Sequence, residues 1–290
     1  MSKAFAWLRL LRPAHWIKNA FVLAGPFFSA EWTPETMLHA LEAFAAFCLA
    51  SSGAYCLNDA ADVEKDRLHP RKRLRPLAAG ELSSAAAYAA GAALMSASLT
   101  LALGTGPNLA MILAVYLAVN VLYSRVLKDI VLVDVFCLAS GFILRLLAGT
   151  WGIGIEPSQW FILCTLALSL FLGFSKRYAE RIDAQRPLEQ KRAVLKNYSP
   201  EFLRALMNVT LASTLITYGL YTTAPRTEEV HGTGELIYTL PVAMFGMFRY
   251  LYLVMERGLG ENTVADILRD LTLLLVCAGY LGLTAFFLFY

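Results

Sequence analysis

The residues best equipped for chemistry lie at 58–76, which read Asn58-Asp59-Ala60-Ala61-Asp62-Val63-Glu64-Lys65-Asp66-Arg67-Leu68-His69-Pro70-Arg71-Lys72-Arg73-Leu74-Arg75-Pro76. Asn58, Asp62 and Asp66 recur at every fourth position. A helix running through them stacks an amide and two carboxylates on one face, with Asp59 beside them. Like charges at that spacing repel, and a divalent cation removes the repulsion. Hard oxygen ligands suit Mg²⁺, which takes one or two carboxylates plus substrate phosphates. Asn58, Asp59, Asp62 and Asp66 are therefore the candidate metal ligands, with Asp62 and Asp66 the candidate catalytic pair. Arg67, Arg71, Lys72, Arg73 and Arg75 follow at once and suit phosphate oxygens. A cytoplasmic basic loop accounts for the basic half of this stretch but not for the acidic stripe. The stretch reads as a Mg²⁺–diphosphate site.

The elements that must position these residues are membrane helices. Of the 290 residues, 58% are hydrophobic and only 16% charged, and the mean hydropathy is +0.54. A soluble domain carries about 25% charged residues. The apolar residues fall in long blocks, which points to an all-α integral membrane protein. Nine spans are expected, at about 16–31, 37–57, 83–103, 107–124, 130–150, 158–175, 203–223, 236–255 and 269–289. Counted loop by loop, 23 of the 25 Lys and Arg then lie on one side, leaving only Arg226 opposite and Arg145 inside a span. The positive-inside rule makes that side cytoplasmic, with the N-terminus inside and the C-terminus outside. The chain is expected to be one membrane domain, 1–290, in the cell (inner) membrane. An interfacial helix is expected at 1–13, with cytoplasmic site-forming connections at 58–82, 123–130 and 176–202.

Other residues stand out against this background. Lys18 sits just inside the first span, where it either snorkels to the interface or points inward to phosphate. Tyr123, Lys128 and Asp134 flank the 4–5 connection. An intramembrane carboxylate such as Asp134 needs a partner, with Lys128 and the metal as candidates. Arg145, eleven residues beyond Asp134 on roughly the same face, must point into the bundle, either toward the neighbourhood of Asp134 or onto a phosphate. Lys176, Arg177 and Tyr178 leave span 6 where it meets the cytoplasm. The five cysteines fall in or at the edge of apolar spans with no C-x-x-C pair, and the four histidines show no metal spacing, so neither disulfides nor zinc is expected.

The pattern N-D-x-x-D-x-x-x-D between two spans resembles the UbiA prenyltransferase superfamily, in which this motif binds a donor diphosphate through Mg²⁺. Three further motifs narrow the resemblance: R-P-x-x-W-x-K-N from Arg12, Y-S-x-x-L-K from Tyr123 and K-R-Y-A-E from Lys176. Together these are similar to the decaprenyl-phosphate phosphoribosyltransferase branch, densely from residue 12 to about 180. The resemblance implies Mg²⁺-dependent transfer of 5-phosphoribosyl from 5-phosphoribosyl 1-diphosphate (PRPP) to a polyprenyl phosphate. Pyrophosphate is released, and the product supplies arabinose donors for cell-envelope or other glycans. It places Tyr123, Lys128 and Asp134 at a second polar motif, where many members carry D-x-x-x-D and this chain does not, and it adds Lys128 and Asp134 to the catalytic candidates. It also assigns phosphate contacts to Lys18, Lys128, Arg145, Lys176 and Arg177. Partners are then PRPP, the lipid phosphate and the bilayer, with no nucleic acid; a homo-oligomer stays open. Two rivals remain: an ordinary UbiA prenyltransferase using a prenyl diphosphate and an aromatic acceptor, and a transporter. A transporter would more often show inverted repeats and helices broken at the midplane.

Overall fold

Hydroxyl caps and prolines start the long helices. Thr33 accepts from the Thr36 amide ahead of Pro34, Ser83 from Ala86, and Ser199 from Phe202 ahead of Pro200, each satisfying an amide that the first helical turn leaves without a partner. The computed structural model describes residues 3–29, 31–68, 72–184 and 191–289. Arg71 and the 185–190 part of the 176–202 connection lie outside the described residues. Among the described residues the secondary structure is helical, without strands. The order is α1 (Lys3–Leu11), a 3₁₀ segment (Pro13–Leu23), α2 (Ala24–Ser29), α3 (Pro34–Ala61), α4 (Val63–Leu68), α5 (Ser84–Thr105), α6 (Pro107–Arg125) and α7 (Val133–Ala148). Then come α8 (Gln159–Ile182), α9 (Pro200–Thr222), α10 (Pro225–His231), α11 (Leu240–Arg257), α12 (Thr263–Arg269) and α13 (Leu271–Phe289).

Seven segments of the described chain are long and apolar enough to cross a membrane. They correspond to seven of the nine expected spans. The segment expected at 16–31 is instead the 3₁₀ stretch and the short α2. The segment expected at 203–223 is the 23-residue α9, whose Arg204, Asn208 and hydroxyl side chains lower its hydropathy. Those hydroxyls are nonetheless satisfied without water: Thr210, Ser213, Thr214 and Thr217 donate to carbonyls four residues earlier at 2.7–2.8 Å. That is how polar residues are accommodated in an apolar surround.

The expectation of one domain over 1–290 meets a chain that groups into two compact units, Met1–Arg125 with Leu144–Glu156, and Val126–Ile143 with Pro157–Tyr290. α7 is divided between them. In the first unit Phe47, Leu109, Leu113, Tyr116 and Val22 form the main core. Leu10, Cys56, Ala60 and Leu77 form a second cluster that seats α1 and the 72–82 connection. Small residues let backbones meet here. A Cβ on Gly25 would lie 1.8 Å from the Gly149 carbonyl oxygen, and one on Gly149 1.7 Å from that of Val22, so both positions require glycine. In the second unit α8 and α9 pack around Phe171, Phe174, Leu203 and Met207, joined by Tyr250 and Leu253 of α11.

Candidate active site

In the first unit α3 carries its acidic residues to its C-terminal end. Asp62 leaves helical geometry (φ −98°, ψ 8°) and α4 restarts at Val63. The backbone still bonds across the break, from Asp62 to Asn58 and from Asp66 to Asp62. The buried carboxylates are Asp59 and Asp66, 4% and 2% exposed. They are seven residues apart and so share one face two turns along. Asn58 and Asp62 of the expected stripe are half-buried and keep their four-residue backbone register with Asp66, while the two carboxylates that share Arg75 are Asp59 and Asp66. Arg75 Nη1 donates to Asp59 Oδ1 at 2.9 Å and to Asp66 Oδ2 at 2.7 Å. Arg12 Nη2 donates to both oxygens of Asp59 at 2.8 and 2.9 Å, and Lys72 Nζ stands 3.8 Å from Asp66. The connection bearing Arg75 is pinned by buried Leu77, by an Arg9–Glu81 bond of 2.9 Å and by a bond from Arg9 to the Leu74 carbonyl. Arg67 bonds Glu64 at 2.8 Å and is exposed, as is Arg73; neither belongs to this cluster.

Two buried carboxylates that bind one nitrogen can also receive a divalent cation. Among the described residues no group of three or more His, Cys, Asp or Glu is gathered for a metal. A pair of buried carboxylates suits an ion that takes one or two of them and completes its shell from water and substrate phosphate, as Mg²⁺ does.

The R-P-x-x-W-x-K-N segment lies antiparallel along α3, joined to it by side-chain pairs. Arg12 meets Asp59. His15 Nδ1 and the Tyr55 hydroxyl are 2.9 Å apart. Trp16 Nε1 donates to Ser52 Oγ at 3.0 Å, and Asn19 Nδ2 donates to Ser51 Oγ and Cys48 Sγ at 3.2 and 3.3 Å. Positions 12, 15, 16 and 19 were a legible signal, because that spacing marks one helical face. Lys18, the residue the sequence singled out, has an accessible side chain that lies close enough to Arg145 to feel its charge. Arg12 adopts a left-handed backbone (φ 53°), unusual for a non-glycine residue, and its guanidinium sits 4.5 Å over the Tyr55 ring. Arg145 joins the same network, not Asp134. It is 8% exposed, its Nε donates to Asn19 Oδ1 at 2.8 Å and its Nη2 to the Tyr116 hydroxyl at 3.0 Å. The Gly25–Gly149 approach brings the 3₁₀ segment close enough for the Asn19 bond. Tyr123, near the end of α6, is half-buried.

In the second unit Asp134 and Arg177 are each fully buried. Arg177 Nε donates to Asp134 Oδ2 at 2.5 Å and Arg177 Nη1 to Glu180 Oε2 at 2.9 Å. The Tyr198 hydroxyl donates to Asp134 Oδ1 at 2.7 Å and accepts from the Leu132 amide at 2.6 Å. That last bond steadies Leu132, whose φ of 67° is, with Arg12, one of two left-handed non-glycine backbones among the described residues. Burial, and then the bond donated to Asp134, push the Tyr198 hydroxyl well above its ordinary pKa. The side-chain partners of Asp134 are Arg177 and Tyr198, not the expected Lys128. Lys128 is half-buried on the single 3₁₀ turn Leu127–Asp129 and pairs with none of the described residues. Tyr178 is buried in the apolar core, and Lys176 is half-buried. Tyr198 and Asn19 are functional candidates that the sequence reading missed. For Tyr198 no local pattern marked it, since it meets Asp134 across 64 positions.

A helical membrane protein with paired acidic and basic side chains at the end of one long helix is the class defined so far. Residues 19–266 match the UbiA prenyltransferase family, and the chain belongs to that family of transferases. It is 33% identical to the decaprenyl-phosphate phosphoribosyltransferase of Mycobacterium tuberculosis over 280 residues, which is 95% of this chain and 91% of that one. It is 39% identical to the Corynebacterium glutamicum protein of the same name over 219 residues, 74% of this chain and 66% of that one. A UbiA homolog from Archaeoglobus fulgidus, solved bound to GPP and Mg²⁺, superposes with a TM-score of 0.71 at 19% identity, covering 98% of this chain and 96% of that one. The fold is therefore that of UbiA.

Proposed function

We propose that the protein transfers a 5-phosphoribosyl group from PRPP to a polyprenyl phosphate, releasing pyrophosphate. The observation that carries this reading is the similarity to relatives named for that lipid acceptor, extending along 95% of the chain in one of them. Asp59 and Asp66 hold a Mg²⁺ ion, assisted by Asn58 and Asp62 on the adjoining turns. The ion supplies charge neutralisation for the leaving pyrophosphate. Arg75, Arg12 and Lys72 surround the same carboxylates and are the cations positioned for the diphosphate. Arg145, oriented by Asn19 and Tyr116, offers a guanidinium to a phosphate, and Lys18, Lys128 and Lys176 keep the phosphate contacts expected of them. Asp134 and Arg177 act as positioning residues, since each is enclosed by the other and by Tyr198 and Glu180.

An oxygen of the lipid phosphate attacks ribose C1 as the bond from C1 to the diphosphate oxygen breaks, and the electron pair leaves with pyrophosphate. The nucleophile is already anionic, so no side chain need remove a proton. Nine crossings with the N-terminus and the basic connections on the cytoplasmic face fit this chemistry, because PRPP is water-soluble and the acceptor is a membrane lipid. Purified protein given radiolabelled PRPP and a polyprenyl phosphate should form a labelled lipid. Turnover of a labelled prenyl diphosphate with an aromatic acceptor, and none of PRPP, would replace this reading with an ordinary prenyltransferase.

A further inference from the structure

The side chain that brings Asp59 and Asp66 together is itself a cation. Both of its bonds use one nitrogen: Nη1 lies 2.9 Å from Asp59 and 2.7 Å from Asp66. The carboxylates are nearly sealed, with side chains 5% and 3% exposed, whereas that of Arg75 is 30% exposed and stands on a connection outside the long helices. Arg12, the other guanidinium on Asp59, is held differently. It too uses one nitrogen, Nη2, which reaches both Asp59 oxygens, but its side chain is 21% exposed and lies over the Tyr55 ring. One cation is anchored and one is placed to leave.

We infer that Arg75 is a built-in substitute for the metal. It occupies the carboxylate pair when no donor is present and moves to the incoming diphosphate when the ion enters. The inference rests on the metal role of Asp59 and Asp66 proposed above and deepens it. Two buried carboxylates left alone would repel each other and lack solvation. Arg75, the one cation bonded to both, removes that cost together with Arg12 and Lys72, and by the same contacts it competes with a bare divalent ion. With diphosphate present, Arg75 gains phosphate oxygens in exchange for the carboxylates, a geometry that guanidinium groups favour. Metal and diphosphate should therefore bind with positive coupling, each raising the affinity for the other by the same factor.

The test uses full-length protein in detergent, with Mn²⁺ as the probe ion read by electron paramagnetic resonance and no donor added. Arg75→Gln removes the competing charge and should tighten Mn²⁺ binding by about ten- to a hundredfold, the range of one charge-assisted contact, although turnover falls. Arg75→Lys keeps a cation and should stay within about threefold of the wild type. Without divalent ions R75Q should melt below the wild type, and Mg²⁺ alone should restore it while leaving the wild type nearly unchanged. Unchanged or weaker Mn²⁺ binding in R75Q overturns the inference. If R75Q is not recovered folded, the wild type decides: Mg²⁺ and pyrophosphate together must raise its melting temperature by more than the sum of their separate effects, and simple additivity overturns the inference. Asp66→Asn separates the two layers of argument. If it abolishes Mn²⁺ binding while R75Q binds like wild type, only the Arg75 exchange is wrong. If it leaves Mn²⁺ binding intact, the metal role of the pair is wrong as well.

Discussion

Replacing Arg177 tests whether Asp134 and Arg177 hold the second unit together or contact substrate. Both side chains are fully enclosed. Arg177→Met leaves the Asp134 carboxylate with the Tyr198 hydroxyl as its one described side-chain partner. Removing one member of a buried pair costs about 3–5 kcal/mol, because the other charge stays behind. Asp134→Asn should cost less, about 1–3 kcal/mol, since an amide oxygen still accepts from Tyr198 and Arg177 keeps Glu180 at 2.9 Å. The double variant Asp134→Leu with Arg177→Met removes both charges, and should fall short of the summed single costs of Asp134→Leu and Arg177→Met by roughly 2 kcal/mol. The assay is SDS titration in mixed micelles followed by far-ultraviolet circular dichroism. Costs that add to within about 0.5 kcal/mol would refute the coupling. So would an Asp134→Asn protein with wild-type stability and abolished turnover, which would make Asp134 a substrate or metal contact.

The other consequences are narrower. Asp66→Asn should reduce turnover at least about a hundredfold, because it removes one of only two buried carboxylates at the pair, whereas exposed Glu64→Gln should change it less than about threefold; steady-state rates on folded protein compare them. Gly149→Ala should destabilise the first unit by roughly 1–3 kcal/mol, because its new methyl meets the Val22 carbonyl, and the melting temperature should fall. In a variant without native cysteines, Thr233→Cys should react with an impermeant maleimide added outside cells and Lys65→Cys should not; the reverse pattern would invert the proposed orientation.

Some of this was legible in the sequence for physical reasons, and some was not. Of the nine expected spans, seven coincide with described helices long and apolar enough to cross a membrane, because burial in lipid demands both length and hydropathy. The first block did not announce its 3₁₀ geometry, since Pro13 and its polar pairing with α3 decide it. The acidic motif was visible as composition and spacing, but which of its carboxylates would be buried was not. Asn58, Asp62 and Asp66 keep their four-residue register through the break at Asp62, as the backbone bonds show, while Asp59, seven residues before Asp66, is the carboxylate buried with it. Arg75 was read as a phosphate ligand, and its present bond to the carboxylates depends on a loop whose path no periodicity encodes. Asp134 was recognised as a carboxylate in need of a partner, but the partner came from 43 residues away, beyond the reach of any local spacing rule. Lys18 drew attention because it was charged inside an apolar run, and it lies within reach of the Arg145 charge, but the bonds that Trp16 and Asn19 make to α3 were not foreseen.

The central claim is that pyrophosphate departs as a phosphoribosyl group reaches the lipid. It is tested most directly by incubating the purified protein with PRPP, a polyprenyl phosphate and Mg²⁺, then quantifying pyrophosphate and the lipid product by mass spectrometry in the same sample. The account predicts equal amounts of pyrophosphate and polyprenyl-phosphoryl phosphoribose, with both lost in Asp59→Asn and Asp66→Asn. Pyrophosphate without lipid product, or lipid product undiminished in both variants, would contradict it.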